Sequence, residues 1–190
     1  MQKSQKEINT NLLIALFQNL QTAKQSINNV IDKIKDCKLK KLLKQQFKEY
    51  DELSETCEDM ARVYEIELND NNFFKKAKMW FSVNLSTMMD KSNRKIASIN
   101  IIGSTMGVID LMSVLSDCKK GKKELLNLGR AILDLEERNI EKLKPFIMVD
   151  PSKNQKEEQT EEIKEENGKV KNYVDKPIKE IENNKKTKQD

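Results

Sequence analysis

From Leu13 onward the apolar positions advance by steps of three and four: Leu13, Leu16, Leu20, Ala23, Ile27, Val30, Ile34. Residues so spaced share one face of a helix with 3.6 residues per turn, so the segment reads as an amphipathic helix with an inward stripe. Asp36 stands where an N-cap is needed, and the rhythm restarts with Leu39, Leu43, Gln46, Tyr50, Leu53, Cys57, Met60 and Tyr64. The connector between the two is a few residues long, which makes them an antiparallel hairpin. Asn69-Asp70-Asn71-Asn72 then offers a stop and a new cap. Phe73 to Met89, with Phe74, Ala77, Met79, Trp80, Phe81, Val83, Leu85 and Met88, reads as a shorter, aromatic-rich crossover helix. Asp90-Lys91-Ser92 is a break in which Ser92 caps a helix from Asn93 to Asp117. Lys119-Lys120-Gly121 ends that helix at a glycine. The last helix, Lys122 to Ile147, carries Leu126, Gly129, Leu133, Glu136, Ile140, Leu143 and Ile147 on one face, with Pro145 expected to kink or fray its final turn.

Composition supports an all-helical chain. Only 5 Gly and 3 Pro occur in 190 residues, too few for the turns of a sandwich or barrel, while charged residues reach 35%. The pattern changes near Pro151. Beyond it ten Lys face ten Asp plus Glu, with Tyr173 the one aromatic. Such a stretch buries too little apolar surface to offset the entropy of ordering. The expected organisation is a helical bundle over residues 1–149 and a charged, mostly disordered tail over 150–190.

Ile96 to Leu115 is apolar and about as long as a membrane span. Gly103 and Gly107 add a G-x-x-x-G pair, which permits close helix contact in lipid. Asn100 and Asp110 lie within the stretch and aromatic anchors are absent at its ends, which favours the central helix of a soluble bundle, apolar all round because neighbours surround it. On that reading the glycines mark a close approach to the backbone, with Trp80 the candidate.

Long hairpin, aromatic crossover and second long hairpin together resemble the ferritin-like superfamily, nearest to an uncharacterised bacterial branch of it. The residues that carry the likeness are Lys38-Leu-Lys-Lys-Leu-Leu-Lys-Gln-Gln-Phe-Lys-Glu-Tyr50, Lys76-Ala-Lys-Met-Trp80, Ile102-Gly-Ser-Thr-Met-Gly-Val-Ile-Asp110 and Leu135-Glu-Glu-Arg-Asn-Ile-Glu-Lys-Leu-Lys-Pro145. It spans residues 8–148 and implies an up-down four-helix bundle with an extra crossover helix. Metal-binding members place a Glu on each of two helices and a Glu-x-x-His on each of the others. This chain has no histidine, so neither motif is complete. The nearest remnants are Glu136-x-x-Asn139 and either Glu52-x-x-Glu55 or Glu55-x-x-Glu58, and the inward-leaning polar residues of the first helix are Gln18, Asn19 and Gln21.

Lack of histidine also removes the commonest general base. No Gly-rich phosphate loop and no Ser-x-x-Lys motif occurs, so nucleotide hydrolysis and acyl transfer have no machinery to rest on. Glu136 and Asp110 fall on or near inner faces. They are read as members of a hydrogen-bonded polar network with Tyr50, Gln46 or Asn100; joined by Glu55, they are also the candidates for a carboxylate-only cation site. Cys37, Cys57 and Cys118 are an odd, scattered set without C-x-x-C, which suits a reducing cytoplasm; Cys57 belongs to the core, while Cys37 and Cys118 sit among lysines near helix ends. The lysine clusters at 33–44, 75–78 and 119–123 are expected at separate places and diluted by acids, which argues against a specific nucleic-acid surface. The N-terminus lacks a secretory pattern, and the bias toward Lys, Asn and Ile fits an AT-rich bacterial genome. The expectation is a non-catalytic cytoplasmic bundle without cofactor or metal, acting as an interaction or structural protein, with Phe17, Phe47, Phe73 and Phe74 as candidate contacts for a homodimer or for the crossover. A degenerate metal-binding protein using Glu55, Asp110 and Glu136 is the alternative. Membrane association through 96–115 is a second one.

Overall fold

The computed structural model describes residues 4–68 and 92–148, and these contain helices and no strand. Helix α1 is Gln5–Val30, and the Ser4 hydroxyl caps it by accepting from the Glu7 N–H. A 3-10 turn over Ile31–Lys33 leads to α2, Cys37–Tyr64, capped as expected by the Asp36 carboxylate, which accepts from the Leu39 N–H at 2.8 Å. Helix α3 is Asn93–Asp117 and begins at Ser92, whose hydroxyl accepts from the Lys95 N–H. Helix α4 is Lys123–Met148 and runs through Pro145 to its end.

One helix stops earlier than expected, and another stops at the expected residue by a different cap. Helix α2 closes at Tyr64 because Glu65 turns left-handed, at φ 54°, and returns its N–H to Ala61 and Arg62. The Asn69–Asn72 stop and the 73–89 crossover lie outside the described residues. Helix α3 ends without a left-handed glycine: Cys118 caps it, and no described glycine has positive φ. Gly121 instead permits contact. Its N–H donates to the Cys118 carbonyl at 2.7 Å, and a Cβ there would lie 3.2 Å from Leu12.

Hydrogen bonds between helices fix their directions. Gln5 on α1 donates to the Lys120 carbonyl beyond the end of α3, and Ser26 near the end of α1 donates to Asn100 near the start of α3, so these two run antiparallel. Tyr50 and Gln46 of α2 meet Glu136 and Asn139 of α4 in reverse order, so α2 and α4 are antiparallel. Lys24 of α1 pairs with Asp51 of α2 at 2.5 Å, and Lys24 also lies over the Phe47 ring. With α1 and α2 antiparallel, the helices run up, down, down, up, so strict alternation fails between α2 and α3. Lys122, at the start of α4, sits over the Tyr64 ring, so α2 finishes at the end where α4 begins, a bundle length away from Ser92.

The stripes of α1 and α2 become the core: Leu13, Leu16, Leu20, Ile27 and Val30 meet Leu39, Leu43, Tyr50, Leu53, Cys57 and Met60, all buried. The inward face of α4 is turned by about one position from the expected one. Leu125, Leu128, Ile132, Leu135 and Asn139 are buried, while Leu126, Leu133 and Ile140 are only half-buried. Helix α4 faces α1, α2 and α3 together, so its buried arc is wider than a single stripe. Gly129 lies where it nearly touches two neighbours: a Cβ would sit 2.6 Å from a Leu115 methyl and 3.2 Å from one of Leu16. Gly129→Val is therefore expected to cost about 1–3 kcal/mol by overpacking, read as a fall in urea midpoint at unchanged slope.

Helix α3 departs from expectation. Among the described residues it packs chiefly on α1 and α4, and only Ile96, Ala97, Ile99, Asn100 and Leu111 are buried. Ile102, Met106, Ile109 and Met112 are 41 to 61% exposed. The helix is apolar all round, but the described helices enclose only one side of it.

Candidate functional site

Midway along the bundle every helix contributes small or polar groups. Asn19 comes from α1, Gln46 and Tyr50 from α2, Ser104 and Gly107 from α3, and Glu136 and Asn139 from α4. The α2 and α4 residues arise from heptad-like steps: Gln46, Tyr50 and Leu53 share one face, as do Ile132, Glu136, Asn139 and Leu143. Gly107 is needed here because a Cβ would lie 3.1 Å from the Asn19 amide nitrogen, which donates to the Gly107 carbonyl at the same distance.

Glu136 is the carboxyl at the centre of this seam and is 1% exposed. The Tyr50 hydroxyl donates to its Oε2 at 2.8 Å, and the Ser104 hydroxyl bonds it as well. Burial pushes the Glu136 carboxyl up to about 7, against the smaller downward pull of the two hydroxyls. Tyr50 is driven well above its usual value by burial first and by the adjacent Glu136 second. The pair is thus a neutral or singly charged unit at ordinary pH. Gln46 donates to the Asn139 carbonyl at 3.3 Å, tying α2 to α4 one turn further along. The Asn19 Oδ1 is buried with no hydrogen-bond partner among the described residues, and the Asn139 amide lies against the Tyr50 hydroxyl.

The other expected site residues lie apart. Glu55 is exposed on the outer face of α2 beside Glu52 and Glu58, which are exposed too, so the Glu-x-x-Glu remnants of that helix point outward. Asp110 is half-buried on α3, and its carboxyl is raised by burial. Among the described residues no three acids or cysteines come together as a ligand set. On α1, Gln18 and Asn19 are buried and Gln21 is half-buried. Of the contact candidates, Phe17 and Phe47 are half-buried against the core, while Phe73 and Phe74 fall outside the described residues. Cys57 is a buried core thiol pushed up by burial, Cys118 is buried, and Cys37 is exposed at the start of α2. Sequence reasoning missed Glu49, a second buried carboxylate, whose Oε1 accepts from Gln45 at 3.2 Å. Its place beside Tyr50 and one turn after Gln46 was the available signal.

The first lysine cluster lies at the end where α1 passes to α2. The 119–123 cluster lies at the opposite end, where α1 starts. No protein-family model matches the chain, and searches of curated proteins and of solved structures find no match either.

Proposed function

We propose that the chain is a ferritin-like bundle that has kept the architecture and lost the metal centre, and that it acts through its surfaces as an interaction or structural protein of the cytoplasm. Two antiparallel hairpins joined across the length of the bundle are the arrangement ferritin-like folds adopt with their one long crossover. The reading is carried by one observation: at the level where facing carboxylates and imidazoles would converge, Tyr50 donates to a single carboxyl, Glu136, surrounded by amides and hydroxyls, while the other buried carboxylate, Glu49, accepts from Gln45 on its own helix.

That donor set does not fit a pair of iron or manganese ions. Each would need anionic oxygen or neutral imidazole ligands, and Glu136, held near 7, gives up its proton reluctantly. Asn139 occupies the place of the histidine in Glu136-x-x-Asn139, and an amide oxygen is a weak, uncharged substitute. Ferrous iron or manganese added to the full chain in air is expected to leave the melting temperature unchanged and dioxygen uptake equal to a protein-free control. Stoichiometric iron oxidation, or a melting point raised by either metal and restored by chelator, would overturn the proposal in favour of a carboxylate-only metalloprotein.

A further inference from the structure

Folding gathers basic residues that lie far apart in the chain. Lys33 and Lys35 in the first connector and Lys38, Lys41 and Lys44 on α2 are all exposed. Ser26 bonds Asn100, which sets the first turn of α3, with exposed Arg94 and Lys95, level with that connector. The bond from Gln46 to Asn139, between antiparallel α2 and α4, brings Lys144 and the end of α4 to the same place. Of the described acids here, Asp36 caps α2, Glu141 pairs with Lys144, and Asp32 lies in the connector. At the opposite end the lysines of 119–123 are interleaved with Glu7, Glu65, Glu67, Asp117 and Glu124. Among the described residues, only one end of the bundle is strongly basic.

Helix stability does not account for this placement. A helix start favours acids, because its free N–H groups carry a partial positive charge. At the opposite end both helix starts follow that rule, with Glu7 in the first turn of α1 and Glu124 in that of α4. At the basic end neither α2 nor α3 has an acid in its first turn, and Lys38, Lys40, Arg94 and Lys95 stand there instead. Cations set against two helix starts are repelled by them, and an anion arriving from outside relieves both at once.

We propose that this end is a docking surface for an anionic lipid bilayer, whose phosphodiester headgroups meet the lysines and the starts of α2 and α3. A lysine cluster of this size draws a protein to a negative membrane surface through diffuse charge alone. What accompanies the charge favours a bilayer over a nucleic acid. Arg94 is the one arginine in the group, and lysine is a point charge without the planar fork that grips a phosphate or a guanine edge. Met148, at the end of α4, is 83% exposed, with Phe146 and Ile147 half-buried just before it. An apolar tip among lysines enters the headgroup region of a bilayer, while the lysine stems reach the phosphates around it. A duplex offers such a tip no counterpart. The inference stands apart from the metal-free centre, since none of these residues belongs to the Glu136 seam.

The test is sedimentation of the full chain with vesicles. Binding is expected to phosphatidylcholine mixed with phosphatidylglycerol, to fall as salt is raised, and to be absent with phosphatidylcholine alone. Lys35→Gln, Lys41→Gln and Lys44→Gln in one chain should weaken it about a hundredfold. Lys119→Gln with Lys120→Gln, at the other end, should leave it in place. Lys95→Glu puts an acid where the start of α3 favours one, so it should weaken binding several-fold without lowering the melting temperature. Lost binding is then not lost folding. No sedimentation with anionic vesicles, or an equal loss from lysines at either end, would overturn the proposal. Equal binding to neutral vesicles would overturn it in favour of the exposed apolar stripe of α3, and tighter binding to a random-sequence DNA duplex in the same buffer would do so in favour of a nucleic acid.

Discussion

Glu136→Gln is expected to stabilise the protein at pH 8 by about 3 kcal/mol and to change little near pH 4.5. The Glu136 carboxyl is held at about 7 in the fold, against 4.5 in an open chain. The folded protein therefore binds this proton more tightly than the unfolded one. Its contribution favours the fold fully below pH 4.5, is lost as pH rises toward 7, and is gone above it. Glutamine keeps an oxygen for the Tyr50 hydroxyl and removes the ionisation, so the variant's stability should be flat between pH 5 and 8 where that of the parent falls. Urea unfolding at half-unit intervals across that range reads the difference. Parallel curves for the two proteins would mean that Glu136 stays ionised at no cost, as a carboxylate held by a cation would.

Leu16→Ala carries the other large effect, an expected loss of about 2–5 kcal/mol. Leu16 is fully buried, and its methyl and that of Leu115 crowd the position a Cβ would take on Gly129. Helices α1, α3 and α4 meet at this point, and the glycine brings them too close for side chains to collapse into the space left. The measurement is the denaturant midpoint with the slope held common. A loss below 1 kcal/mol would show that these helices are not closely packed at this point.

Much of the architecture is legible in local signals because those signals act over one or two turns. Asp36 and Ser92 cap the helices they precede, and the stripes of α1 and α2 enter the core as spaced, because each of these faces meets its neighbours along one line. The Tyr50–Glu136 pair was foreseeable for the same reason: a carboxyl on an apolar face survives only with a donor opposite. What failed was whatever depends on the number of neighbours. Leu126, Leu133 and Ile140 share a face with Leu143, but α4 is buried over a wider arc centred elsewhere. Helix α3 has the composition of an enclosed core helix, and the described helices enclose it on one side only, since composition states what a face tolerates and not what covers it. Glu49 reads as a surface acid and Glu55 as a candidate ligand, yet the first is buried and the second exposed, because only the position of the facing helices decides which of the two lies inside.

The central claim is that the middle of the bundle is closed by a hydrogen-bonded acid that holds no metal. The carboxyl carbon of Glu136, followed by carbon-13 resonance from pH 4 to 9 with substoichiometric manganese present and identified by its loss in Glu136→Gln, tests it most directly. A sharp resonance that titrates near 7, unbroadened by the metal, is expected. A resonance already ionised at pH 5, or one erased by manganese, would contradict it.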